Sequence, residues 1–188
     1  GSPRLVGDTS NGHTGLDTGR TRAVLDAAAK AAGWGRAMAP RSGLGIAFYF
    51  SHRGYFASVA EVKVADDGTV KVVKVWVAGD VGRQIVNPSG ANNQIVGSTL
   101  DAINATLNQQ ITVANGRVEQ SNFDDYPLLR IADAPPVVVE MVTSDNPPTG
   151  LGEPAYPPVP PAITNAIFAA TGVRARSLPV DTALLKKA

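Results

Sequence analysis

Apolar and polar positions along the chain follow two spacings, one near 3.6 residues and one of two, and each change of spacing marks a predicted element. Residues 22–32, RAVLDAAAKAA, are helix formers with Leu25, Ala28, Ala29 and Ala32 on one side, and Gly33 follows where a left-handed stop belongs. This predicts a short surface helix. After Pro40 the run GLGIAFYF has strand length. Over residues 56–64, Ala60, Val62 and Val64 then fall on one face and Glu61 and Lys63 on the other, the pattern of a half-buried strand. Asp66-Asp67-Gly68 supplies a turn residue that tolerates positive φ, and VKVVKVWV over residues 70–77 returns as the second arm of an antiparallel hairpin.

Further along, Val96, Leu100, Ile103 and Leu107 recur at helical spacing and predict an amphipathic helix within residues 88–109. Gln94 lies about 200° from that stripe at about 100° per residue, so it must face solvent, another domain or a ligand. Asp80-Val81-Gly82 closes the preceding strand, and Asn87 before Pro88 is expected to cap or turn into the helix. Asn115-Gly116 between two short β-branched runs predicts a second tight hairpin, and residues 137–142 predict another strand. Helices alternating with antiparallel strands give an α+β class, an antiparallel or mixed sheet with packed helices.

Seven of the fourteen prolines fall within residues 147–161, PPTGLGEPAYPPVPP. That density predicts a stiff, extended track that enters a helix near Pro161, with Ile163, Ala166, Ile167 and Ala170 as its packing face and Gly172 as its stop. Residues 173–180 are short enough for one last strand, and Lys186-Lys187 reads as a solvated tail. At the other end, residues 1–20 hold five glycines and no apolar period, so they are expected to form a flexible lead-in, leaving 21–188 as the domain.

Composition narrows the chemistry. Seventeen Lys plus Arg against sixteen Asp plus Glu leave a net charge of +1, so no long-range field gathers phosphates and no nucleic-acid partner is expected. With no cysteine there is no thiolate nucleophile, disulfide or cysteine metal site, and the two histidines, His13 and His52, lack metal-binding spacing. No apolar run approaches the roughly 18 residues of a membrane span, and the compartment stays open. Gly43-Leu44-Gly45 lacks the context and third glycine of a dinucleotide fingerprint, and the phosphate-loop, serine-elbow and EF-hand motifs do not occur. One carboxylate stands apart: Glu153, between Gly152 and Pro154. Proline biases it away from helical backbone, and Gly150 and Gly152 let a flat ligand approach. Pattern alone leaves it open between a solvated loop residue and a positioned base.

Several segments, in order, resemble one family. They are GLGIAFYF, ASVAEVKVADDGTVKVVKVWVAGDVGRQIVNP, NNQIVGSTLDAINATL, NGRVEQSNFDDYPLLR and TGLGEPAYPPVPPAITNAIFAATGVRARSLPV. Together they are similar to the C-terminal part of the molybdenum-binding large subunit of the xanthine dehydrogenase and aldehyde oxidase family, most like the isoquinoline 1-oxidoreductase β-subunit type. The resemblance implies that Glu153 is the general base in a hydroxylation of N-heteroaromatics or aldehydes with oxygen drawn from water. It implies that Gln94, Gly97, Ser98, Leu151 and Gly152 adjoin the cofactor, molybdopterin cytosine dinucleotide carrying molybdenum. Because that metal is held through pterin sulfurs, no side-chain metal ligand is expected. Implied partners are the remainder of the molybdenum subunit, a small 2Fe–2S iron–sulfur subunit and a cytochrome c acceptor. Much of the substrate pocket belongs to upstream segments of the family, so the chain alone is expected to be inactive; the alternative is a non-catalytic assembly module that keeps the fold. Two departures stand out: the family's Asp-Cys-Gly reads Asp80-Val81-Gly82, and FSHRGYF replaces a more usual histidine-glutamate version.

Overall fold

The long hairpin of residues 42–80 is the centre of the computed structural model, which describes residues 2–7 and 15–187. In chain order the elements are β1 (Leu5–Val6), β2 (Leu16–Asp17), α1 (Thr18–Ala32), β3 (Ser42–Ser51), β4 (Gly54–Val64), β5 (Val70–Asp80), α2 (Pro88–Leu107), β6 (Val113–Ala114), β7 (Arg117–Val118), β8 (Val137–Met141) and α3 (Val159–Thr171). The main sheet runs β3-β4-β5-β8, antiparallel except for β8, which lies parallel to β5. The sheet is therefore mixed, with α1 on one face and α2 and α3 on the other.

That double cover corrects the reading of β4 as half-buried. Tyr55, Ala57 and Val59 pack toward α1, while Phe56, Ala60, Val62 and Val64 pack toward α2 and α3, so over most of its length neither face is polar. A strand covered on both faces gives up polar alternation. The one irregularity in the β4–β5 ladder falls at Glu61/Val62, where Val73 is the extra residue and stays 38% exposed.

Helix α1 starts at Thr18, inside the stretch assigned as lead-in, because the Asp17 carboxylate accepts the N–H groups of Gly19 (2.7 Å) and Arg20 (3.2 Å). Leu5–Val6 pairs antiparallel with Leu16–Asp17, so the described part of the lead-in is structured; residues 8–14 lie outside the described residues. The buried stripe of α1 is Val24, Ala28 and Ala32, with Leu25 only partly buried, and the helix lies against the sheet. Gly33 ends it at φ 62°, as predicted.

Two glycines set how closely α3 approaches β3. A Cβ at Gly45 would collide with the Ala162 carbonyl oxygen, and one at Gly43 would stand 2.8 Å from the Ala170 amide nitrogen. Their absence lets the helix backbone lie directly on the strand, and Asn165 Nδ2 donates to the Ile46 carbonyl across the seam (3.1 Å). These glycines serve packing. Toward the C-terminus no strand forms over residues 173–180, where Pro179 has no N–H for a ladder. Instead Val180 N–H bonds the Thr106 carbonyl (2.9 Å), the 3₁₀ turn Thr182–Leu185 buries Leu185, and Lys187 N–H bonds the Asp66 carbonyl (3.0 Å). The tail is docked by its backbone, with the side chains of Lys186 and Lys187 exposed.

The seam makes a direct prediction. Gly45→Ala is expected to destabilise the fold by roughly 2–3 kcal/mol through overpacking. Chemical denaturation of both proteins checks it, and an unchanged midpoint would refute the close-packing account.

Candidate functional site

Helix α2 buries Ile95, Thr99, Ala102, Ile103 and Thr106. The predicted stripe is thus rotated by about one residue, and Val96, Leu100 and Leu107 are only partly buried. Threonine explains the shift: Thr99 Oγ1 donates to the Ile95 carbonyl (2.8 Å) and Thr106 Oγ1 to the Ala102 carbonyl (2.6 Å), so each hydroxyl is satisfied within the helix and the methyl can face the core. Asn87 caps the helix by accepting the Gly90 N–H (2.9 Å), as expected. With the core face so placed, Gln94, Gly97, Ser98 and Asp101 line up at i, i+3, i+4 and i+7 along the neighbouring flank.

That flank forms one wall of a cleft of about 670 Å³. The opposite wall is the loop before α3, with Gly152, Glu153, Pro154 and Tyr156, and the tip of the β3–β4 hairpin adds Tyr49, Ser51 and His52. Gln94 Nε2 donates to the Gly152 carbonyl, tying helix to loop. Five of the six residues singled out from sequence, Gln94, Gly97, Ser98, Gly152 and Glu153, therefore meet at one place. Leu151 does not line the cleft and packs against the hydrophobic core. Sequence reasoning also passed over Asp101 and Tyr156 and weighed His52 only as a metal ligand and as part of a departing loop. The polar i, i+3, i+4, i+7 series would have found Asp101.

The loop itself is not the extended track that its prolines predicted. Tyr156 N–H bonds the Glu153 carbonyl (2.9 Å) and Val159 N–H the Tyr156 carbonyl (3.1 Å), so residues 153–158 form successive turns. Helix α3 then begins at Val159, earlier than Pro161, with prolines 160 and 161 in its first turn, where no N–H is needed. Pro154 and Ala155 are buried while Glu153 is exposed to the cleft, and its carboxylate has no hydrogen-bond or ion-pair partner among the described residues. The Tyr156 phenol has its pKa raised, first by burial and then by the charges of Asp101 and Tyr126, so it remains a protonated donor at neutral pH. Ser98 Oγ donates to the Ile95 carbonyl (3.1 Å) and keeps acceptor capacity toward the cleft.

What anchors the approach to this loop is Asp80, at the end of β5. Its carboxylate is 1% exposed and takes two hydrogen bonds from Arg20, Nε at 2.7 Å and Nη2 at 2.8 Å, one from the Gly82 N–H (2.9 Å) and one from the Ser144 hydroxyl (2.9 Å). Burial alone would raise its pKa, but the Arg20 guanidinium and the other donors outweigh that and hold it below the ordinary carboxylate value. Arg20 also stacks over the Tyr55 ring, 4.2 Å from its centroid. From there Arg83 N–H bonds the Asn146 carbonyl and Thr149 N–H the Val81 carbonyl, both at 2.9 Å, fixing residues 144–149 immediately before the cleft loop. Gly82, at φ 96°, is required here because a Cβ would lie 2.8 Å from the Asn146 carbonyl oxygen. Val81 is 3% exposed, so the departure from Asp-Cys-Gly falls on a core side chain.

Comparison with known proteins assigns the family. Residues 21–135 match the molybdopterin cofactor-binding domain. The chain belongs to that family, in its xanthine dehydrogenase and aldehyde oxidase branch. The matched span holds Gln94, Gly97 and Ser98 and ends before Glu153. The chain is 34% identical over 169 residues to the isoquinoline 1-oxidoreductase subunit beta of Brevundimonas diminuta, covering 88% of this chain and 22% of that one. It is 36% identical over 170 residues to the membrane-bound aldehyde dehydrogenase (pyrroloquinoline-quinone) of Gluconacetobacter polyoxogenes, covering 87% and 22%. Quinoline 2-oxidoreductase from Pseudomonas putida 86 shares the fold with a TM-score of 0.61 at 23% identity, covering 67% of this chain and 17% of that one. The chain thus spans about a fifth of the length of these proteins.

The cleft of this molybdopterin-binding domain fits a flat, polar group. A Cβ added at Gly97 or Gly152 would meet nothing within 4 Å, so both walls leave open space, and Gln94 and Ser98 offer polar atoms beside it. Among the described residues no group of three histidines or carboxylates is placed to hold a metal ion, and no helix is long and apolar enough to cross a membrane; His13 lies outside the described residues.

The Asp80 network predicts acid sensitivity with a definite sign. A carboxyl with a depressed folded-state pKa contributes stability that is fully present above its unfolded value, about 3.9, and is lost as pH falls through its lower folded value. Asp80→Asn is expected to flatten that acid limb and to cost about 3 kcal/mol at neutral pH by leaving the partly buried Arg20 without its counter-charge. Denaturation curves between neutral and strongly acidic pH check both parts.

Proposed function

We propose that this chain supplies the general base, Glu153, and one wall of the cofactor cradle of a molybdenum hydroxylase that oxidises N-heteroaromatics or aldehydes with oxygen from water. The observation that carries the reading is the meeting of Glu153 and Gly152 with the Gln94-Gly97-Ser98 flank of α2 across one cleft, in a chain of the molybdopterin cofactor-binding family. The resemblance supports the cytosine dinucleotide form of the cofactor, a small iron–sulfur subunit and a cytochrome c acceptor. Two relatives carry "isoquinoline" and "aldehyde" in their names, in keeping with both substrate classes.

When bound, the molybdenum–pterin group would supply two-electron oxidation and the Lewis acidity that makes water acidic near neutral pH. The residues of this chain do the rest locally. The Glu153 carboxylate accepts a proton; its backbone carbonyl is already engaged by Tyr156 N–H, so the side chain is held at the cleft by a fixed turn. Gln94 holds the loop with Nε2 and keeps its Oε1 for a ligand donor. Gly97 leaves room for a ring to lie against the helix, and Ser98 and Tyr156 line the same space with hydroxyls. Because Glu153 is exposed here, the chain alone is expected to turn over nothing; exclusion of water falls to the segments that would complete the site.

Two substitutions test this in the full-length subunit co-expressed with its iron–sulfur partner. Glu153→Gln is expected to retain molybdenum by elemental analysis while losing about 10²-fold or more in kcat on heteroaromatic and aldehyde substrates. A variant as fast as wild type would remove Glu153 from the mechanism. If wild type holds no molybdenum, the non-catalytic module takes its place. Gly97→Leu should leave the melting temperature near wild type, since leucine favours helix and the position is open, yet lower the molybdenum content.

A further inference from the structure

The β3–β4 hairpin ends in a two-residue turn. Ser51 pairs with Gly54, leaving His52 and Arg53 at the corner with φ of 52° and 64°. Turns of this twist favour Asn-Gly because other residues enter the left-handed region at a cost, and the chain follows that preference at Asn115-Gly116, with φ of 51° and 77°. At 52 and 53 it does not. Strain of this kind clusters where a side chain has a job beyond the turn.

The two corner residues face different places. Arg53 lines a separate hollow with Asp17, Arg20 and Tyr55, while His52 lines the candidate cleft that also holds Gln94 and Glu153. His52 Nδ1 stands 2.7 Å from Ser51 Oγ. A serine hydroxyl that donates to Nδ1 fixes the tautomer with a proton on Nε2, leaving one imidazole N–H for the cleft. Tyr49, two residues before Ser51 on the same face of β3, is 41% exposed and adds an aromatic wall beside it.

We infer that His52 is a specificity-determining residue whose Nε2–H donates to the ring nitrogen of a flat N-heteroaromatic substrate. The inference rests on the molybdenum hydroxylase reading above. An aldehyde carries its acceptor oxygen outside any ring, on a group that can turn about its bond to the rest of the molecule, whereas a heteroaromatic carries its acceptor nitrogen as a ring atom bonded to the carbon attacked, with its lone pair fixed in the ring plane. A donor on the hairpin tip, beside the aromatic wall of Tyr49 and supported by its own serine, fits the second arrangement, because what orients the ring then orients its nitrogen. A flat ring also suits the aromatic side of Tyr49 and the glycines across the cleft.

The test uses the loaded full-length subunit with its partner, wild type beside His52→Asn, a residue that tolerates positive φ and preserves the turn. Isoquinoline and benzaldehyde are the probes, with melting temperature as an independent readout. The expected result is a KM for isoquinoline raised about 10-fold with kcat within about 3-fold, benzaldehyde kinetics unchanged, and a melting temperature equal to or above wild type. Unchanged KM for isoquinoline in an active variant, or an equal rise for both probes, overturns the role of His52 and leaves the hydroxylase reading standing. A wild type that holds no molybdenum and oxidises neither probe overturns both.

Discussion

The seating of α3 on β3 is the constraint on which the rest of the molecule depends. Gly43 and Gly45 remove the two side chains that would hold the helix off the strand, and the Asn165 bond to Ile46 fixes its rotation. Because residues 150–158 run directly into the first turn of α3, the depth at which the helix lies on the sheet sets the position of the cleft loop. Prolines at that start make the entry stiff, so little of the position set by packing is lost between helix and Glu153. The small residues of β3 thus act, through α3, on the loop that precedes it.

A second anchor holds the loop from its other side. Asp80 closes β5 with its carboxylate buried and fully hydrogen-bonded, and through Ser144 and the backbone at Val81 and Arg83 it fixes residues 144–149. The same carboxylate ties in Arg20 on α1, so the helix on one face of the sheet and the loop serving the other share one buried ion pair. A buried pair of this kind is weak evidence for net stability, but it permits few alternative arrangements. With α3 behind it and Asp80 ahead of it, the glutamate loop is held at both ends and exposed only in the middle.

Much of this was legible in the residues. The β4–β5 hairpin, both left-handed helix stops, the Asn87 cap and the Asn-Gly turn follow from local chemistry that tertiary context did not overrule. Failures came where a residue type has two uses. Thr99 and Thr106 count as polar in a periodicity but become apolar once their hydroxyls bond within the helix, which rotated the stripe of α2. Prolines in residues 147–161 read as extended chain, yet a fixed φ near −65° serves turns and helix starts equally well. In β4, alternation past Ala60 suggested a polar face, while residues 54–59 before it carry no charge on either side, the mark of a covered strand. The candidate site was read through Glu153 and Gln94, but His52 stood out only as part of a loop that departs from the family's usual one, because its place in the cleft depends on a backbone angle and a direction that only the folded hairpin fixes.

The exposure of Glu153 bears on how such a site has to work. A proton-transfer role gains from a dry setting that this cleft, open on one side, does not supply by itself. The chain instead supplies fixed geometry: a carboxylate on a stiff turn, an amide that locks the loop to a helix, and glycines that leave space. Geometry of that kind can be built by one domain alone, because it depends on local packing and a few hydrogen bonds. Dryness cannot, since it needs surface from more than one side. The division accounts for a cleft whose polar groups are already in place while its glutamate still faces solvent: in the function proposed, this domain fixes where a proton would go, and surface from other segments would have to keep water out.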